Sequence, residues 1–151
     1  MKTYSLYLST LDTNAVVSNT TNKGGVTFNV NFDSLFQNKD GIANVRVAFI
    51  SNVQTFTDAN HTGSLRANFS STYQTLGNFG INLCPLDIET KHGTTSHKLF
   101  GESMTSNGIT INIPKGNHSL TISLCNASNA LMSPPAGFEY QLWLYFDCYD
   151  E

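Results

Sequence analysis

The chain has 151 residues, a net charge of −3 and only 13% Asp, Glu, Lys and Arg, about half the usual share near 25%. Its 11% aromatic content, together with so little charge, excludes a disordered segment, and its eight scattered Lys and Arg exclude the clustered cations that phosphate binding needs, so nucleic acid is not expected as a direct partner. One domain over 1–151 is expected, long enough to bury roughly 70% of its unfolded surface without a metal or disulfide staple.

The missing charge is replaced by Asn, Ser and Thr. Such a surface desolvates cheaply and suits packing against proteins or sugars. Cys84, Cys125 and Cys148 are odd in number and lack CxxC spacing. They are read as buried, reduced thiols, as in a reducing compartment of synthesis. The opening MKTYSLYLST has no apolar signal-peptide core, so synthesis in the cytoplasm is expected. The sequons at Asn19, Asn60, Asn68, Asn117 and Asn126 are therefore discounted. No window approaches ~18 apolar residues, so no membrane-spanning helix is expected.

The chain alternates with a strand period almost throughout. Thr3 to Ser9 predicts a strand with Tyr4, Leu6 and Leu8 inward. Thr13 to Asn22 is a polar loop with room for a short strand at Ala15 to Ser18. Gly24-Gly25 opens a regular strand, Val26, Phe28, Val30 and Phe32 alternating with Thr27, Asn29 and Asn31. Asp33 to Phe36 reads as one helical turn capped by Asp33. Val45 to Val53 is apolar on both faces and predicts a central strand. Leu65, Ala67 and Phe69 mark the next strand after a loop over Thr55 to Gly63.

Thr75 to Leu83 predicts a strand bent at Gly77 and Gly80. Pro85 to Thr95 reads as a connection and Lys98 to Met104 as a weak strand. Ile109, Ile111 and Ile113 share a face, as do Leu120, Ile122 and Leu124. With Pro114 to Asn117 between them they predict a hairpin. Ala127 to Gly137 is a loop with Pro134-Pro135.

The last strand, Phe138 to Tyr149, has Phe138, Tyr140, Leu142, Leu144, Phe146 and Cys148 on its core face. Its other face carries Trp143, the one Trp of the chain, with Tyr145 and Tyr149 beside Glu139, Gln141 and Asp147. Trp143 and Tyr145 point the same way, about 7 Å apart. Three readings of this stripe stay open: cover by the chain's own loop, a subunit interface, or a sugar-stacking platform. Trp143, Tyr145 and Tyr149 are the candidate interface residues. The whole pattern predicts an all-β antiparallel sandwich, a single jelly roll of eight to ten strands.

Residues for catalysis are not assembled. His92 and His97 stand five apart, with Asp87 and Glu89 nearby, but nothing in the spacing demands a metal. There is no GxSxG and no phosphate-binding Gly loop before a helix. Asp147, Asp150 and Glu151 read as a solvated acidic tail or a docking point for a basic neighbour. No catalytic residue, cofactor or metal is expected.

In its order of segments the chain resembles the small single-jelly-roll minor capsid and penton-type structural proteins of large double-stranded DNA viruses. The residues that carry this are Tyr4 to Ser9, Gly24 to Phe32, Val45 to Ser51, the run from Ile109 to Asn117, and the aromatic terminal strand. The resemblance implies a non-enzymatic protein of the virion that packs against other capsid subunits or copies of itself. The alternative expectation is a carbohydrate-binding β-sandwich module, lectin-like or a fibre head, using the Trp143 and Tyr145 face on a glycan. A cupin-like enzyme would share the scaffold, but its His and carboxylate cluster is not apparent.

Overall fold

A computed structural model describes residues 2–12, 14–18, 23–37, 39–55, 63–69, 80–89, 96–106 and 108–149. These form eleven strands and no helix. In chain order they are β1 (Lys2–Ser9), β2 (Val16–Ser18), β3 (Gly25–Asn31), β4 (Gly41–Ser51), β5 (Gln54–Thr55), β6 (Gly63–Phe69), β7 (Ile81–Glu89), β8 (Ser96–Glu102), β9 (Ile109–Ile113), β10 (Asn117–Asn126) and β11 (Tyr140–Cys148).

Alternation makes each strand one-sided, so the strands form two layers that share a core. The first sheet runs β1-β11-β4-β9 and the second β3-β10-β6-β7, every pair antiparallel. This four-plus-four order is a jelly roll. Three further strands extend it. β2 flanks β3, β8 lies between β4 and β7, and β5 adds to β8. β7 joins the layers: Ile81–Leu86 pair with β6, and Asp87–Glu89 with β8. The nearly closed path ends at β1 on one side and β2 on the other.

The expected core faces meet between the layers. Val26, Phe28 and Val30 of β3, with Leu120, Ile122 and Leu124 of β10, face Val45, Val47 and Phe49 of β4 and Leu142, Leu144 and Phe146 of β11, and all are buried. Each such side chain contributes about 1.5–3 kcal/mol by leaving water. Tyr140 sits among aromatic rings, its centroid 4.9 Å from Phe49, 6.1 Å from Phe138 and 6.4 Å from Phe28.

The expected hairpin over Ile109 to Leu124 is not one. β9 pairs with β4 and β10 with β3 and β6, so the two strands lie in opposite layers. Their apolar faces match because both look into one core from opposite sides. The connecting turn behaves as expected: Gly116 has φ 91°. Its N–H donates to Asp33 Oδ1 at 2.8 Å, and Lys115 N–H to Asp40 Oδ1 at 2.9 Å. Asp33 therefore ties down a distant turn instead of capping a helix. Asp33 to Phe36 is a run of turns, with Leu35 N–H donating to Phe32 O three residues back.

β7 also departs from expectation. It starts at Ile81 and runs through Pro85 to Glu89, where a connection is expected. The expected start over 75–79 lies outside the described residues. Pro85 is tolerated because β7 changes partner there: its pairing with β6 ends at Leu86 and its pairing with β8 begins at Asp87.

Candidate functional site

The outer face of the first sheet carries the candidate residues. β1 pairs with β11 without a break, setting Tyr7 opposite Trp143, Ser5 opposite Tyr145 and Thr3 opposite Asp147. On the other side β4 sets Ala48 beside Trp143, Arg46 beside Tyr145 and Asn44 beside Asp147. The even-numbered residues of β11 fill the core, so these odd-numbered ones point out.

Trp143 and Tyr145 are half-buried by neighbours within the sheet. The Trp143 ring packs on Tyr7 at 5.2 Å between centroids, tilted 45°. The Arg46 guanidinium lies over the Tyr145 ring, 5.3 Å from its centroid. Tyr149 follows the end of β11, is 51% exposed, and accepts a hydrogen bond from Asn44 Nδ2 at 3.2 Å. The structure thus brings Trp143 and Tyr145 together and sets Tyr149 at the end of the same face.

Asp147 is not a solvated tail residue. It is 8% exposed. Arg46 donates to it from Nε to Oδ2 at 3.0 Å and from Nη2 to Oδ1 at 3.3 Å, and the Thr3 hydroxyl donates to Oδ1 at 2.8 Å. These bonds, Arg46 first and Thr3 second, hold its carboxyl below the usual carboxylate range. Asp150 and Glu151 lie outside the described residues.

Sequence reasoning missed Arg46, Tyr7 and Thr3. The signals were present: Tyr7 falls on the outward phase of its strand, and Arg46 interrupts the apolar run Val45 to Phe49. What was lacking was the register that makes them neighbours of β11. The same face gathers exposed apolar side chains from β4 and β8, namely Ile42 (54%) and Phe100 (39%), with Tyr7 (50%) on β1. Phe100 and Met104, with Pro85, Leu86, Asp87 and Glu102, also line an open groove along the seam between the layers.

The outer face of the second sheet is chemically opposite. It presents Thr27, Asn29 and Asn31 of β3, Asn117, Ser119 and Thr121 of β10, and Ser64, Arg66 and Asn68 of β6. Its cross-strand contacts are Thr27 to Thr121 at 2.9 Å and Asn31 Nδ2 to Asn117 Oδ1 at 2.8 Å.

Among the described residues no three His, Cys, Asp or Glu are grouped to hold a metal ion. His97 lies on β8 opposite Gln54, and His92 is outside the described residues. Cys84, Cys125 and Cys148 are buried thiols outside any disulfide. Burial, with Glu102 adding to it, pushes the Cys84 thiol up to about 12, so it stays protonated at neutral pH. No protein-family model and no curated protein matches the chain.

Proposed function

We propose that this protein is a non-enzymatic structural component of a virus particle, of the minor capsid or vertex type, that works by packing the outer face of its first sheet against other subunits. The observation that carries this reading is the asymmetry of the two outer faces. One gathers Tyr7, Ile42, Phe100, Trp143 and Tyr149 around a braced Arg46–Asp147 pair. The other is a field of Thr, Ser and Asn with a single Arg, Arg66, and no aromatic side chain among those described. Aromatic residues and Arg are the types enriched at protein interfaces. The four-plus-four jelly-roll order supports it as well, as does a low surface charge that makes desolvation cheap.

The carbohydrate-binding alternative is less favoured by the geometry. A stacking platform needs an open ring face, whereas Tyr7 packs on Trp143 and Arg46 lies over Tyr145. To test the main reading, an antibody against the chain is followed through a density gradient of material from the organism that encodes it. Banding with particles is the expected result. Recovery only among slowly sedimenting proteins would contradict it.

A further inference from the structure

Unpaired strand edges invite other strands, and proteins blunt them with short strands, proline, bulges or charge. Three edges of this fold carry such devices. β2 is three residues long with a shifted register against β3. β9 is five residues long and stops at Pro114. β7 contains Pro85, and Leu83 is skipped in its register against β6. β1 is different. It has eight residues, an unbroken register on β11 and no proline, and its one charge, Lys2, stands at its first position. Among the described residues no strand pairs with its outer side. Tyr4 and Leu6, its inward residues, are only partly buried although they pack against the core.

We propose that β1 pairs antiparallel with β1 of a second copy of this chain, joining the two first sheets across a two-fold axis. The pattern of the strand is self-complementary in one register. Directly opposed residues share a face, so inward residues must meet inward ones, and a slip by one residue would set inward Tyr4 against outward Tyr7. Of the registers that keep the faces matched, one sets Leu6 against Leu6, Tyr4 against Leu8, and Ser5 against Tyr7. A shift of two residues one way sets Lys2 against apolar Leu8, and a shift of two the other way pairs only residues 5–9 of β1 instead of 3–9, so both are disfavoured.

The register with Leu6 on Leu6 also sets the two Lys2 residues at opposite ends of the pair, away from each other. An isologous contact of this kind closes on itself as a dimer and extends the row of Tyr7 and Trp143 across two chains. The proposal stands on the sheet edge and does not rest on the virion reading.

The test uses the full chain on a sizing column with light scattering, over a range of concentrations. The expected mass rises to twice the chain mass of 16.6 kDa. Ser5→Lys changes an exposed outward side chain and crowds like charge along the shared edge. It should raise the dissociation constant about tenfold or more. Under mild oxidation Leu6→Cys should give a covalent dimer on a non-reducing gel, because opposed residues fall within disulfide reach, while the wild type with its three buried thiols should not. A monomer at every concentration with no Leu6→Cys cross-link would overturn the proposal, and so would a dimer indifferent to Ser5→Lys. A chain that bands with particles yet gives either result loses this inference alone.

Discussion

Two buried polar groups near the start and end of β11 behave in opposite ways. The Tyr140 hydroxyl is buried without a hydrogen-bond partner among the described residues. Burial, with Glu139 beside it, pushes its ionisation well above the usual phenol range. An unpaired buried hydroxyl costs about 1–3 kcal/mol, and the ring does the packing. Tyr140→Phe should therefore keep or raise stability, by about 1 kcal/mol, read as a higher urea midpoint. A loss of that size would mean the hydroxyl is bonded.

Asp147 is the opposite case, a carboxylate held by Arg46 and Thr3. Its folded pKa lies below its unfolded value near 3.8. The unfolded chain thus binds the proton first, and the stabilisation is complete above the unfolded pKa and lost as pH falls through the folded one. Asp147→Asn should cost about 1–2 kcal/mol at pH 7. The gap between wild type and variant should close on acidification below pH about 4. A gap unchanged by pH would remove the ion pair from the account.

At the scale of elements, alternation found the strands and failed at their partners. Val26 to Phe32 and Tyr140 to Cys148 were legible because a period of two with large side chains admits one reading. Over Ile109 to Leu124 a tight turn between two apolar faces is equally consistent with a hairpin and with a crossing between layers. Only the pairing of β9 with β4 decides between them. Pro85 reads as the end of β7 unless its change of partner is known. The turn between β9 and β10 is itself testable. Gly116 has φ 91°, and an added Cβ would meet only His118 Nε2, at 3.9 Å. Gly116→Ala should therefore cost only the backbone strain, about 1–2 kcal/mol, in thermal or urea unfolding. A neutral result would mean the turn adopts another conformation.

For the whole molecule, the fold follows from one-sided strands that need a shared core, and this was largely readable from the sequence. The candidate face was readable only on its β11 third. Trp143 and Tyr145 declared themselves as aromatics on the outward phase. Tyr7, Arg46 and Thr3 come from strands more than 90 residues away in the chain, and pairing between distant segments leaves no local trace. The proposed packing through the first sheet's outer face is tested most directly by electron cryomicroscopy of particles with which the chain co-sediments. Tyr7, Trp143 and Tyr149 are expected to be covered by a neighbouring subunit, with the Thr, Ser and Asn face of the second sheet left open. Density for a neighbour on the second sheet, with the aromatic face in solvent, would contradict it.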